Sequence, residues 1–150
     1  NVSMMDSYDA VAFGCPSMGA EQLEESEFEP MFRECTSKLN GKKIALFGSY
    51  GWGDGEWMRT WEEDCKGYGA ILSSDPVICN EDPDADAQNA CIELGKLLYK
   101  ILYKSFLINV YLSKCFLNRT KEPADNRFLF LCALHQFTLC YLSFFLFQPC

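Results

Sequence analysis

Two runs of the chain are apolar without a break, Ala10 to Gly14 and Ile44 to Gly48 behind Lys43. Short continuous apolar runs of this kind predict strands covered on both faces. Between them, Phe28, Met31, Phe32, Cys35 and Leu39 fall at helical spacing, and Asn40-Gly41 marks a stop. A second helical pattern places Trp57, Met58, Trp61 and Cys65 on one face and ends at Gly67 and Gly69. "AILSSDPVICN" predicts a third strand, interrupted near Asp75-Pro76. "EDPDADAQNACIELGKLLYK" predicts a last helix, capped by Asp82 or Asp84, with Ala87, Ala90, Cys91, Leu94, Leu97 and Leu98 facing inward. Strands alternating with helices predict an α/β protein with a three-layer parallel sheet and right-handed crossovers.

Ligands of such sheets bind beyond the carboxyl ends of the strands. Two unusual loops follow strands and so share that edge: "CPSMGAEQLEES" after Gly14 and "SYGWGDGEW" after Gly48. The second sets glycines on both sides of Trp52. Glycine costs backbone entropy, so the pattern makes sense where backbone must pass close to a flat ligand with the indole against it. Trp57 and Trp61 read as core. The run Glu24, Glu25, Glu27 and Glu29 reads as a solvated face.

Composition divides the chain. The formal net charge of −8 argues against nucleic acid and anionic membranes and suits basic protein partners. Residues 1–100 carry −11 and residues 101–150 carry +3. All ten glycines and all three tryptophans precede residue 101, and 29 of the last 50 residues are Phe, Leu, Ile, Tyr, Asn or Lys. The chain therefore reads as a domain over 1–100 followed by an unrelated hydrophobic tail over 101–150, of the composition that read-through of A/T-rich DNA produces. The nine cysteines form no CxxC pair and His135 is the single histidine, so no metal site is expected; reduced thiols of a cytoplasmic protein are. Phe128 to Phe147 has no formal charge and is long enough to cross a bilayer, though His135, Gln136 and Thr138 interrupt it. Asn1-Val2-Ser3 and Asn118-Arg119-Thr120 match the glycosylation pattern, with nothing else pointing to secretion.

"GCPSMGAEQLEESEFEP", "GKKIALFGSYGWGDGEWM" and "NACIELGK" resemble the short-chain flavodoxins over about Tyr8 to Lys100. The resemblance implies a flavodoxin-like doubly wound sheet of order 2-1-3-4-5, non-covalent FMN, and low-potential one-electron carriage to redox partner proteins with basic surfaces, with no enzyme activity of its own. It implies a site at Pro16, Ser17, Met18, Gly19, Glu21, Ser49, Tyr50, Gly51, Trp52, Gly53 and Asn80. Trp52 and Met18 would cover the two faces of the ring. Gly51 and Gly53 would bring backbone N–H groups to its polar edge. The Met18-Gly19 peptide would turn over to offer a carbonyl to N5–H, Glu21 would accept from N3–H, and Asn80 would support that region. Glu21 and Asp54 would disfavour a reduced, anionic flavin, each by roughly 3 kcal/mol at ~6 Å and an effective dielectric of ~20 before screening.

The family opens with a strand, a phosphate-binding loop and a helix, and holds the phosphate on that helix N-terminus. This sequence begins at Asn1 without them and reads as a fragment lacking the first strand, first helix and second strand. The expected consequences are a bare, aggregation-prone edge on the first remaining strand and weak FMN binding or none. Ala20 and Pro16 also depart from the family pattern. Two other readings stand beside the electron carrier: a non-binding truncated remnant, and a flavin-binding or interaction module tethered to a membrane by its tail.

Overall fold

The structure, a computed structural model, describes residues 2–116 and 128–132, with side chains over 2–100. After a 3-10 turn at Val2–Ser7, the chain forms β1 (Ala10–Gly14), α1 (Phe28–Cys35), β2 (Lys43–Tyr50), α2 (Glu56–Gly67), β3 (Ile71–Leu72), β4 (Val77–Asn80), α3 (Ala85–Phe116) and β5 (Phe128–Cys132). Every strand pairing among them is parallel. β2 is central: β1 lies along one side, and β3 and β4 share the other, at Lys43–Ile44 and Phe47–Tyr50 respectively. The predicted third strand is thus two short strands separated at Ser73–Pro76, where the proline cannot donate to a ladder. The helix expected to run to Leu39 tightens into a 3-10 turn at Thr36–Lys38.

Alternation along β1 and β2 supplies both faces of the sheet. Val11, Phe13, Ile44 and Leu46 point into one core with Phe28, Phe32, Trp57, Trp61 and Cys65 of α1 and α2. The aromatic rings meet edge to face: Trp61 lies 5.4 Å from Phe28 and 5.5 Å from Phe32, with planes nearly perpendicular. Both tryptophans are buried, as read from the sequence. On the other face, Ala10, Ala12, Ala45 and Phe47 receive Leu94 and Leu98 of α3. Leu97, expected on the inner face, is exposed, and Ala87, Ala90 and Cys91 are only half-buried, because α3 touches the sheet along a narrow stripe. Asp84 is its cap: Oδ1 accepts from Ala87 N–H at 2.8 Å. α3 continues across residue 100 to Phe116.

Two expectations change. The edge of β1 is not bare: β5 pairs with it from Ala10↔Phe128 to Gly14↔Cys132. Glu24 is not merely solvated. Its carboxylate accepts from the backbone N–H groups of Ser26 (2.7 Å), Glu27 (2.9 Å) and Phe28 (2.8 Å) and from the Ser26 hydroxyl, capping α1 from outside. Hydrogen bonding to the charged form lowers its pKa from 4.5 to about 2, the Ser26 hydroxyl contributing most. Because the folded value lies below the unfolded one, this stabilisation is complete above about pH 4.5 and is lost as pH falls toward 2. The melting-temperature difference between the wild-type chain and Glu24→Gln is therefore expected to be constant near neutrality and to shrink between these two pH values. A difference that stays flat down to pH 2 contradicts the cap.

Of the five cysteines described, Cys15, Cys35 and Cys65 are buried and Cys79 and Cys91 half-buried. Burial pushes the Cys65 thiol up to about 12. Among the described residues no helix is long and apolar enough to cross a membrane and no cluster could hold a metal ion. Most of the Phe128–Phe147 stretch, His135 and both glycosylation patterns involve residues outside those described.

Candidate flavin site

The loop after β1 stays attached to β2 as it leaves the sheet. Cys15 N–H donates to Phe47 O (3.1 Å) and Ser17 N–H to Ser49 O (2.8 Å). The loop then folds back on itself, with Met18 and Gln22 exchanging both backbone bonds, at 2.8 and 2.9 Å. The loop after β2 is anchored at its start: Tyr50 O accepts from Glu81 N–H (2.8 Å) and from Asn80 Nδ2 (3.0 Å). Between the two loops lies a cleft of about 540 Å³, within the range of small-molecule sites. Pro16, Ser17, Met18, Gly19, Ser49, Tyr50, Gly51, Trp52, Glu81 and Asp82 line it. Trp52 is 62 % exposed and Met18 46 %, so two large apolar side chains stand open to solvent on one cleft.

Glu21 joins the loops. Its Oε1 accepts from Gly55 N–H and Glu56 N–H, both at 2.9 Å, which caps α2 where Gly55 has no side chain to do so. Gly53 is the counterpart. A Cβ there would stand 2.4 Å from the Glu21 Cδ, and its φ is +89°. A Cβ on Gly51 meets nothing within 4 Å.

Eight of the eleven residues expected at the site therefore line the cleft, and Glu21, Gly53 and Asn80 do not. The surroundings of four of the named residues are as follows. The Glu21 carboxylate caps the α2 N-terminus, and Gly53 leaves room for it. Met18 O accepts from Gln22 N–H, a bond that turning over the Met18-Gly19 peptide would break. Among the described residues the Gly19 carbonyl accepts no hydrogen bond, and Gly19 has φ +51°, which favours glycine. Asp54 is paired with Arg59 at 2.6 Å instead of facing the cleft. The acids that do line it, Glu81 and Asp82, were missed. They directly follow β4, and their position at a strand's carboxyl end was the available signal.

The cleft offers what a flavin ring needs chemically: apolar side chains at Trp52 and Met18, open backbone at Gly51, and at Gly19 a carbonyl that accepts no hydrogen bond among the described residues. Among the described residues the lining holds no Lys or Arg and includes two carboxylates.

Residues 1–95 match the family model described as Flavodoxin. The chain belongs to the flavodoxin family. It is 50% identical over 101 residues to the flavodoxin of Clostridium beijerinckii, covering 67% of this chain and 72% of that protein. It is 45% identical over 100 residues to the flavodoxin of Megasphaera elsdenii, covering 67% and 71%. The solution structure of two-electron reduced Megasphaera elsdenii flavodoxin superposes with a TM-score of 0.56 at 42% identity, over 65% of this chain and 69% of that one. A flavodoxin from the domain Archaea gives 0.54 at 25% identity, over 63% and 66%. Flavodoxins bind FMN and transfer electrons to redox partner proteins rather than acting as enzymes. The flavodoxin-like α/β fold read from the two loops is thus established for this chain.

Proposed function

We propose that this flavodoxin carries single electrons on FMN held chiefly by its ring, at low potential, for cytoplasmic partners with basic surfaces. The observation that carries the reading is the cleft in which Trp52 and Met18 stand exposed on loops fixed by β1 and β2. FMN, when bound, supplies the ability to take up and release one electron at a time. The chain supplies the rest. Trp52 offers a rigid aromatic face and Met18 a polarizable thioether for the ring. The Gly19 carbonyl, which accepts no hydrogen bond among the described residues, is a second acceptor for a ring N–H beside the Met18 carbonyl. Pro16, Ser17, Ser49, Tyr50 and Gly51 shape the walls, Glu21 locks the two loops, and Asn80 fixes the Tyr50 carbonyl. The domain over 1–100 holds all of these.

Glu81 and Asp82 set the electrostatics. Two carboxylates beside the cleft disfavour added negative charge on the ring. At ~8 Å, with the screening of an exposed site (effective dielectric ~40), each contributes about 1 kcal/mol, or roughly 40 mV. Glu81→Gln and Asp82→Asn are each expected to raise the one-electron midpoint potential of bound FMN by about that much, and Asp54→Asn, whose carboxylate is paired with Arg59, by less than half as much. Spectroelectrochemical titration measures all three. Equal potentials in all variants would remove the cleft acids from the account.

A second reading has one observation in its favour. Among the described residues the cleft lining holds two carboxylates and no Lys or Arg, a charge balance unfavourable to an anionic phosphate, as in a non-binding remnant. FMN titration separates the two.

A further inference from the structure

Asn40-Gly41, the stop after the first helical pattern, is the single Asn-Gly pair in the chain. An unrestrained backbone modifies itself readily at this pair, because glycine has no side chain to shield its nitrogen from the neighbouring carboxamide. We propose that Asn40 is a site of spontaneous deamidation that the fold holds closed, with its rate set by the opening of one corner of the sheet. The inference does not depend on the cofactor.

Three backbone hydrogen bonds build the corner. Lys42 N–H donates to Leu39 O at 2.8 Å, Gly41 N–H to Gly69 O at 2.9 Å and Ile71 N–H to Lys42 O at 2.9 Å. The first closes a turn in which Asn40 has a negative φ and Gly41 a φ of +74°, the pattern of a type II turn. Such a turn holds ψ of its second residue at about +120°, which points the Gly41 nitrogen away from the Asn40 carboxamide. The second bond engages the proton that this nitrogen must lose before it can attack. Gly69 shapes the other side: its φ is +82°, and a Cβ there would stand 2.7 Å from Asn40 Oδ1. Asn40 and Gly41 are both exposed, so water and hydroxide reach them once the corner opens.

The reaction needs no partner but water. Gly41 N–H gives its proton to hydroxide, and the nitrogen bonds to Asn40 Cγ. The Cγ–Nδ2 bond breaks, and Nδ2 leaves as ammonia with a proton from water. Water then adds to either carbonyl of the cyclic imide, leaving aspartate or β-linked isoaspartate at position 40. The β link adds a backbone atom to the turn, so the Gly41–Gly69 bond is lost at the entrance to β2 and β3. Hydrogen exchange at Gly41 and deamidation at Asn40 therefore need one and the same event, release of Gly41 N–H from Gly69 O.

The test incubates the full chain at mildly alkaline pH, folded or unfolded in guanidinium, and counts aspartate and isoaspartate at position 40 by peptide mass mapping. The ratio of unfolded to folded deamidation rates is expected to match the exchange protection of Gly41 N–H within about tenfold. Gly69→Ala forces a side chain into a left-handed φ, and is expected to speed both exchange and deamidation in the folded chain roughly tenfold. Gly67→Ala, where a Cβ meets nothing within 4 Å, is expected to leave both within about threefold of wild type. Equal rates in the folded and unfolded chain overturn the closed site, and an unfolded chain left unmodified at position 40 overturns the site itself. Faster exchange without faster deamidation in Gly69→Ala overturns the shared opening. Should that variant not fold, the wild-type ratio decides: agreement with the Gly41 protection within about tenfold supports the proposal, and a wider gap overturns it.

Discussion

Trp52→Ala is expected to weaken FMN binding by roughly 10- to 100-fold, from a stacking contribution of about 1–3 kcal/mol. The indole is the largest exposed apolar group on the cleft, and it does little else for the protein. At 62 % exposure it contributes no core packing, so the melting temperature of the apo chain is expected to stay within about 3 °C of wild type. Trp52→Phe keeps a smaller aromatic face and is expected to recover part of the affinity. Met18→Ala removes a flexible thioether and is expected to cost less, about 3- to 10-fold. Isothermal titration of the four proteins with FMN, alongside apo melting curves, checks the set. A Trp52→Ala chain with wild-type affinity would place the ring elsewhere.

Gly48→Ala is expected to be the most destabilising single substitution at the site. A Cβ at residue 48 would stand 2.2 Å from the Cys15 carbonyl oxygen and 3.2 Å from Trp57 Cζ2. The first of these is backbone, pinned by the Cys15–Phe47 and Ser17–Ser49 hydrogen bonds, so it cannot turn aside. β1 and β2 would have to part just where the two loops leave the sheet. Overpacking of this kind costs about 3 kcal/mol, which corresponds to a fall in melting temperature of roughly 10–20 °C. Gly51→Ala is the control. A Cβ there meets nothing within 4 Å, and the change is expected to move melting by no more than about 3 °C. Two variants of equal stability would mean that the strands are not packed this closely at Gly48.

These two glycines show where sequence reading reached and where it stopped. Ala10–Gly14 and the run from Lys43 were legible because a strand covered on both faces must be apolar at every position, and these are. The helices were legible from the spacing of Phe28, Phe32, Trp57 and Trp61. The location of the cleft followed from topology, since both unusual loops sit at the carboxyl ends of parallel strands. Individual roles were less legible, because they depend on which backbone groups are already engaged. Nothing in "SMGAEQ" says that Met18 O is taken by Gln22 N–H, or that Glu21 reaches across to Gly55 and Glu56. Gly53 read as space for a ligand, and nothing in the sequence says that the Glu21 carboxylate lies against it. Gly48 stood in the glycine-rich run, but its packing role was hidden because its contact is with a carbonyl 33 residues away in sequence. Glu81 and Asp82 were lost in an acidic run whose members look alike until the end of β4 separates those beside the cleft from those beyond it. The pairing of β5 with β1 was hidden because a short apolar run in a tail of similar runs carries no register of its own.

The central claim is that the two loops alone hold the flavin ring. It is tested most directly by titrating the full chain with FMN and, in parallel, with riboflavin, following quenching of flavin fluorescence. With Trp52 and Met18 on the ring and, among the described residues, no Lys or Arg in the cleft lining, both ligands are expected to quench to saturation at one equivalent, with dissociation constants within about tenfold of each other. Absence of quenching by either flavin up to high micromolar concentration would contradict the account and leave this flavodoxin as a fold that has lost its cofactor.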